Sequence, residues 1–305
     1  MRIFFTGGTG FIGRNLIAAL IKRGDEVTTI SRHPDNAKKI LSEKVTIISG
    51  DPAQPGSWQQ TAAESDAIIN LCGAPILDKK WNEKRKQLLL DSRILPTRRI
   101  VEALSQTETR PKVFISGSAM SYYGSHGDEE LTESDKYGDD FSAKLCRQWE
   151  DEANKAMDLE VRLVNLRTSD VLGREGGMLS KMLPPFKFFI GGPFGNGRQY
   201  VSWIHIDDYI NIVLRALVDE NISGPLNMAA PNPVTNKEFA KILARVLKRP
   251  SWLPLPGFII KLLFGEGAVL LLEGEKIIPK KVLDNGYKFK FNELEPALSN
   301  LLFRE

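Results

Sequence analysis

Cysteine and histidine are scarce in this chain, which has 2 cysteines and 3 histidines among 305 residues. Cys72 and Cys146 form neither a disulfide framework nor a metal-binding spacing, as expected for a protein of the reducing cytoplasm. His33, His126 and His205 are scattered along the chain, so we expect no metal site. This content excludes a disulfide-stapled secreted domain and a zinc-binding module.

Strong net charge and long apolar runs are also absent. A formal net charge of +3 is too small to indicate binding of nucleic acid or of an anionic membrane surface. The most apolar stretch, Phe258 to Leu272, is interrupted by Lys261 and Glu266, and spanning a bilayer takes about 20 mostly apolar residues. The stretch is therefore predicted to form two short buried helical pieces. With nucleic acid and membrane not indicated, the expected partner of the protein is a small-molecule substrate.

A glycine-rich turn at the start of the chain organises the rest of the sequence. An apolar strand, Ile3 to Phe5, runs into glycines at positions 7, 10 and 13, and apolar residues then recur with helical spacing. Gly7 suits a tight turn, and Gly10 lets the backbone approach a pyrophosphate closely. Gly13 lets the helix pack close to the sheet. This pattern predicts a dinucleotide site with contacts from Thr6, Gly7, Gly10, Phe11, Ile12 and Gly13.

The end of the next predicted strand indicates which dinucleotide is bound. Glu26 to Ile30 forms that strand, and Ser31 and Arg32 follow it. A carboxylate at this place usually holds the ribose 2′-hydroxyl of NAD, whereas an arginine suits the 2′-phosphate of NADP. Ser31 and Arg32 therefore favour NADP, with NAD as the alternative cofactor. A solvated surface role for Arg32 stays open.

Further strand ends supply more candidate residues, because ligands of a doubly wound sheet bind at the carboxyl ends of its strands. Asp51 follows the third strand and is placed either to meet the adenine or to form a turn. The small-residue turn Cys72-Gly73-Ala74 would let backbone approach the middle of the cofactor. Ser116 and Ser118 leave the strand that begins at Val113, where a cofactor contact and a catalytic hydroxyl would sit.

A basic run with one tryptophan covers Lys79 to Lys86. Leucines follow it in a helical pattern, so its charges are predicted to form one solvated face of a helix rather than a nucleic-acid site. Asp91 to Leu104 continues as a further helix, with Pro96 marking a break or a start.

Several motifs together resemble the extended short-chain dehydrogenase/reductase superfamily. They are the Thr6 to Gly13 turn, the Ser118-Ala119 strand end with Tyr123-Gly124 beyond it, and Trp203 to Asp208. More narrowly, the chain resembles the atypical NAD-dependent epimerase/dehydratase-like "epimerase family" proteins, which carry a characteristic C-terminal domain of unknown function. Its segment Glu273 to Phe291 looks like the tail of that group.

The resemblance implies an α/β fold, a Rossmann-like doubly wound parallel sheet with a smaller C-terminal α/β lobe that closes over the substrate. The Rossmann-like domain is expected to span residues 1–170, with 200–222 returning to it. The substrate lobe is expected to span 171–199 and 223–305.

The resemblance also implies a proton-transfer pair that this sequence lacks. In sugar-nucleotide epimerases of the superfamily a Ser or Thr hydrogen-bonds the reacting oxygen, and a Tyr with a Lys four residues later moves the proton. Ser118 matches the serine, but none of the 6 tyrosines is followed by lysine at that spacing. Aligned on Glu150, Ser142 stands at the place of the tyrosine and Cys146 at the place of the lysine.

Ser118 and Tyr123 are the candidate catalytic residues that remain. Lys144, Cys146 and His126 are conceivable proton donors, but a structural role is favoured for each of them and for Tyr123. Arg167, at the end of a further strand, is placed to hold an anion beside the cofactor or a carboxylate of the fold.

The resulting expectation is a cytoplasmic, NADP(H)-binding epimerase or reductase that acts on an unknown small or nucleotide-linked substrate, as a monomer or homodimer. The alternative is an NADP-binding regulatory protein with little or no turnover, since members of the resembled group in plastids and cyanobacteria are associated with division.

Overall fold

The computed structural model describes residues 1–303. Its strands, in chain order, are β1 (Arg2–Thr6), β2 (Glu26–Ser31), β3 (Thr46–Ser49), β4 (Ala67–Asn70), β5 (Val113–Ala119), β6 (Glu130–Leu131), β7 (Arg162–Thr168), β8 (Asp170–Gly173), β9 (Tyr200–Val201), β10 (Trp203–His205), β11 (Gly224–Met228), β12 (Val234–Thr235) and β13 (Lys276–Ile277). Its α-helices are α1 (Phe11–Arg23), α2 (Pro34–Ile40), α3 (Trp58–Ala63), α4 (Glu83–Ser105), α5 (Phe141–Asn154), α6 (Gly177–Lys187), α7 (Ile206–Val218), α8 (Asn236–Leu247), α9 (Gly257–Phe264), α10 (Val269–Leu272), α11 (Lys280–Asp284) and α12 (Leu294–Phe303).

Seven parallel strands form the central sheet, in the order β11-β7-β5-β4-β1-β2-β3. The chain builds outward from β1 in one direction and then from β4 in the other, so the order reverses between these two strands. All seven strands point the same way, which brings their carboxyl ends to one edge. The predicted doubly wound Rossmann-like sheet is confirmed, and a ligand crevice is expected at this switch point.

Both faces of the sheet are buried, which explains why its strands are apolar without strict alternation. On one face Ile3 and Phe5 of β1 join a core with Leu16 of α1 and Tyr209 of α7. On the other face Phe4 joins a second core, formed mainly with α3, α4 and α5.

Helix α4 runs without interruption from Glu83 to Ser105, so the break or start predicted at Pro96 is wrong. Proline removes one backbone donor, but its ring is buried here, and helices tolerate such a residue when packing compensates. The next residue, Thr97, donates its hydroxyl to the carbonyl of Arg93 over 2.7 Å.

Outside the central sheet, residues 1–303 form three two-stranded sheets, β8 with β10, β9 with β12, and β6 with β13. Strand β11 lies in the central sheet beside β7, although residues 223–305 were assigned to the smaller lobe from the sequence. The division into two domains otherwise stays a prediction. Within residues 1–303, no helix combines the length and the apolar character needed to cross a bilayer.

The apolar stretch from Phe258 to Leu272 forms α9, one 3-10 turn and α10. The predicted helical pieces are present, but they are not buried throughout, since Phe258 is 72% exposed and Leu262 is 67% exposed.

One buried carboxylate joins the tail of the chain to the sheet domain. Asp208, in the first turn of α7, accepts hydrogen bonds from the Tyr287 hydroxyl over 2.8 Å, from the Lys290 amide over 2.8 Å and from the Phe291 amide over 2.9 Å. The last part of the chain is thereby fixed against the helix that follows β10.

Candidate functional site

The turn between β1 and α1 is built without side chains. Gly7 has φ +78°, in the left-handed region, and a Cβ there would lie 2.6 Å from the Leu71 carbonyl oxygen. A Cβ at Gly13 would lie 2.3 Å from the carbonyl oxygen of Gly7. These two glycines let the end of β4 and the first turn of α1 close on the turn, as the sequence predicted.

The first turn of α1 offers amides to an anion. Gly10 is the N-cap, it provides no side-chain cap, and the turn carries no acidic residue. An α-helix leaves its first N–H groups without intrahelical acceptors, here those of Phe11, Ile12 and Gly13, and the helix dipole makes this end positive. A pyrophosphate fits this arrangement.

The aromatic ring of Phe11 lies under the hairpin that joins β8 to α6. A Cβ at Gly173 would be 2.2 Å from the ring, and one at Gly176 would be 2.4 Å from it. Arg14 pairs with Glu175 of the same hairpin over 3.3 Å. The Phe11 side chain therefore packs against the hairpin over the start of α1, and its amide lies in the first turn of the helix.

Thr6 and Cys72 meet at a buried asparagine that the sequence interpretation missed. The Thr6 hydroxyl donates to Asn70 Oδ1 over 2.6 Å, and the Cys72 amide donates to the same oxygen over 3.2 Å. Burial raises the pKa of the Cys72 thiol to about 11, with the Thr6 hydrogen bond acting in the opposite sense. The Thr6 hydroxyl thus helps to position the turn through Asn70. The Cys72 thiol stays protonated at neutral pH because its pKa is raised.

The carboxyl end of β2 carries an exposed arginine. Arg32 is exposed, and within residues 1–303 it makes no ion pair or side-chain hydrogen bond. Its charge and that of Asp51 both act on the Cys72 thiol, so the strand ends meet at one place. The Ser31 hydroxyl accepts from the His33 amide over 3.1 Å, and Asp51 accepts from the Ala53 amide over 3.0 Å. Asp51 therefore makes the turn contact that was one of its two predicted roles, and the adenine contact stays a prediction.

The Gly73-Ala74 turn is held by Ser92 and Arg93 of α4. The Ala74 amide donates to the Ser92 hydroxyl over 3.0 Å, and the Ala74 carbonyl accepts from Arg93 over 3.1 Å. A Cβ at Gly73 would lie 3.1 Å from the guanidinium carbon of Arg93. The close approach that this glycine permits in the structure is to that guanidinium.

The basic run Lys79 to Lys86 fits its prediction only in part, because α4 begins at Glu83 and the residues before it are not helical. Arg85 is buried, and it bonds the Pro75 carbonyl and pairs with Asp78. It holds the loop ahead of α4, so the solvated face predicted for the run does not include it.

A buried network surrounds Ser118 at the end of β5. Ser118 donates its hydroxyl to Glu150 Oε1 over 2.6 Å, and Arg167 donates to both oxygens of the same carboxylate over 2.9 Å. Arg167 is buried and holds a carboxylate of the fold, which was one of its two predicted roles. Ser116 is buried two residues earlier in β5, with its hydroxyl near the Gly117 carbonyl.

Tyr123 is placed as a structural residue. It is fully buried, its hydroxyl donates to Asn227 Oδ1 over 2.6 Å, and it accepts from Arg167 over 2.9 Å. Burial raises the pKa of this phenol far above its ordinary value, against the opposing effect of Arg167. The geometry does not support proton transfer by Tyr123, because a raised pKa disfavours the tyrosinate that such a base requires.

Helix α5 stands where the family's tyrosine and lysine would lie. The face of α5 towards β5 carries no side chain that could act as a base in their place. Ser142 and Cys146 are both buried there, and burial raises the pKa of the Cys146 thiol to about 12. Among residues 1–303 no group of three or more His, Cys, Asp or Glu side chains is arranged to hold a metal ion.

Comparison with known proteins shows which family the chain resembles. Residues 3–229 match the model of the NAD dependent epimerase/dehydratase family, and residues 255–301 match a domain of unknown function, DUF1731. The chain is similar to the chloroplastic SDR39U1 homolog of Arabidopsis thaliana, an epimerase family protein, with 38% identity over 99% of this chain and 87% of that protein. It is also similar to epimerase family protein YfhF of Bacillus subtilis, with 38% identity over 99% of this chain and 98% of that protein.

A solved structure resembles the whole molecule. The crystal structure of human epimerase family protein SDR39U1 (isoform 2) with NADPH has a TM-score of 0.87 and 36% identity, covering 99% of both chains. The resemblance that the motifs indicated is confirmed. The chain belongs to the NAD dependent epimerase/dehydratase family, among the SDR39U1-like and YfhF-like epimerase family proteins with a C-terminal DUF1731 domain.

Proposed function

We propose that this protein binds NADP(H) at the turn after β1 and uses it as an oxidoreductase or epimerase, on a small or nucleotide-linked substrate, without the usual Tyr-x-x-x-Lys pair. Bound NADPH would supply a hydride at the carboxyl edge of the sheet. The amides of Phe11, Ile12 and Gly13 bind the pyrophosphate in this proposal. The NADPH present in the human relative's structure supports the choice of cofactor.

The observation that carries the choice of NADP is the position of Arg32. An exposed guanidinium without an ion pair in residues 1–303 follows directly on β2, where the adenosine ribose of a Rossmann ligand lies. Guanidinium groups bind phosphate through bidentate hydrogen bonds. A hydrogen bond to a charged group contributes about 1.5–3 kcal/mol of net free energy. Arg32 therefore binds the 2′-phosphate that NAD lacks.

Titration of NADPH and NADH by fluorescence tests this assignment. Arg32→Asp is expected to weaken NADPH binding by about tenfold or more, in line with the loss of one charged contact, and to spare NADH. Lys44→Asp is the matched control, because Lys44 is an exposed cation before the amino end of β3, at the opposite edge of the sheet. Equal loss of NADPH and NADH affinity in Arg32→Asp would remove Arg32 from the phosphate site.

A second candidate function is that of an NADP-binding regulatory protein with little or no turnover. The two candidate catalytic hydroxyl groups favour this second function. Ser118 already donates its one hydrogen to Glu150, and Tyr123 is buried. A screen of NADPH oxidation against carbonyl compounds and sugar nucleotides separates the two candidates. Turnover that falls in Ser118→Ala supports the enzyme with Ser118 in its site, and NADPH binding without any turnover supports the regulator.

A further inference from the structure

Two carboxyl groups from different lobes meet where β7 ends. Asp170 begins β8 just after β7, and its amide donates to the Ser202 carbonyl over 3.0 Å. Glu275 comes from the C-terminal segment, and its carbonyl accepts from the Ser202 hydroxyl over 2.6 Å. Ser202 thus ties both backbones, and the charge of Asp170 acts on the Glu275 carboxyl.

The position of Glu275 is fixed by tight backbone packing. A Cβ at Gly274 would lie 2.0 Å from the Tyr200 carbonyl oxygen, so the segment lies directly on β9. The Ile277 amide donates to the Ser202 hydroxyl over 2.9 Å and anchors the other side. Glu275 itself is 9% exposed.

No cation among residues 1–303 pairs with either carboxyl. Within residues 1–303 no other residue donates a hydrogen bond or forms an ion pair with the Asp170 or Glu275 side chain. Burial raises the pKa of Asp170 to about 7. Burial also raises the pKa of Glu275 to about 8, and the negative charges of Asp170, Asp140 and Glu273 add to the effect. Both carboxyl groups therefore hold their protons to a higher pH than ordinary acids do.

A buried hydroxyl nearby also lacks a partner. Ser142 is 1% exposed, and its oxygen has no hydrogen-bond partner within the described residues. It lies two residues after Asp140, the N-cap of α5, on the helix face that carries Cys146 one turn later. Buried polar groups are rarely left unpaired, so this hydroxyl has hydrogen-bonding capacity left for a water molecule or a polar ligand.

We propose that Asp170 and Glu275 are the proton-donating and proton-accepting pair of this site, in place of the tyrosine and lysine that the chain lacks. The proposal rests on the proposed function, because the hydride would come from bound NADPH. Its substrate class is a carbonyl compound that is uncharged at its reacting end, since an anion there would face Asp140, Asp170 and Glu275 together.

The step conserves atoms and charge. The carbonyl carbon gains a C–H bond with the hydride, and the nicotinamide is oxidised to NADP⁺. The carbonyl oxygen gains an O–H bond as one carboxylic acid of the pair loses its proton and becomes a carboxylate. The second carboxyl or water then returns a proton to it. In the reverse direction the pair accepts the proton of the alcohol.

Infrared titration of the cofactor-free protein tests the pair directly. The wild-type protein is expected to show a protonated carboxyl band at pH 6 that disappears as the pH rises to 9, and Asp170→Asn with Glu275→Gln should remove it. Glu273→Gln is the matched control, because Glu273 is an exposed acid two residues from Glu275. It should keep the band, with only a small shift of its titration to lower pH as one nearby negative charge is lost. Absence of such a band from the wild-type protein would overturn the proposal.

Kinetics give the second readout. The double variant should bind NADPH as the wild type does and reduce uncharged carbonyl compounds about 100-fold more slowly, within the range that general acid catalysis contributes. Reduction at the wild-type rate by a folded double variant would contradict the proposal. Failure of the wild-type protein to bind NADPH would instead refute the proposed function, while the infrared titration would still judge the carboxyl pair.

Discussion

Ser118 and Glu150 form a charge-assisted hydrogen bond of 2.6 Å between the end of β5 and the middle of α5. The same carboxylate receives two hydrogen bonds from Arg167, so both of its oxygens are occupied. A serine in this position of the family's fold is expected to donate to a substrate oxygen. Here its hydrogen is already used, and the hydroxyl is left as an acceptor.

Glu150→Gln is expected to destabilise the protein by about 3–5 kcal/mol, because it leaves the buried Arg167 guanidinium without a counter-charge. Chemical denaturation measures the change in the free energy of unfolding. The double variant Glu150→Met with Arg167→Met should lose less than the single variant, since apolar replacement of both partners leaves no buried charge. A double variant less stable than Glu150→Gln would mean that the pair itself stabilises the fold.

Gly13→Ala is expected to lower both stability and NADPH affinity, because the new methyl group would sit 2.3 Å from a backbone oxygen that has little room to move. Overpacking of this kind costs about 1–3 kcal/mol. Gly257→Ala is a suitable control, since its Cβ would meet Leu272 at an ordinary 3.5 Å. Thermal unfolding and NADPH titration of the two variants check the prediction, and equal behaviour would contradict the packing role of Gly13.

The stability of the protein should fall as the pH rises from about 4 to about 8, as far as Asp170 and Glu275 contribute. Their pKa values rise to about 7 and about 8 in the folded protein, whereas unfolded Asp and Glu titrate near 4. In that window the folded state binds more protons than the unfolded state, so the free energy of unfolding decreases with pH.

Urea denaturation across this pH range measures the effect. Asp170→Asn with Glu275→Gln should flatten the profile above pH 5, because the groups that titrate there are gone. The acids whose pKa is lowered, such as Asp25 and Glu152, act below this window and should leave it unchanged. A wild-type profile as flat as that of the double variant would show that these carboxyls do not titrate as described.

The glycine turn and the parallel sheet could be predicted because their signals are local. Backbone atoms that lie close to Gly7 and Gly13 leave no room for a Cβ there, and such glycines form a recognisable pattern in the sequence. The strands are apolar, and this composition predicts that they are buried. Arg32 was identified for the same reason, since a strand end fixes which edge of the sheet a residue reaches.

Other features depend on contacts between distant parts of the chain, which a spacing pattern does not contain. Arg85 reads as one charge in a basic run, and only the folded loop shows that its guanidinium is buried beside Asp78. Glu275 becomes a partner of Asp170 only when the tail lies on β9. Asn70 gave no signal beyond its place at the end of an apolar strand.

Asp208 makes the tail of this protein part of the same cooperative structure as the sheet. If a chain ended before Tyr287, a buried carboxylate would lose three hydrogen-bond donors, and leaving a buried charged group without partners is costly. The segment matched by the second family model is therefore no removable appendage, and the two matched segments should melt in one transition rather than in sequence.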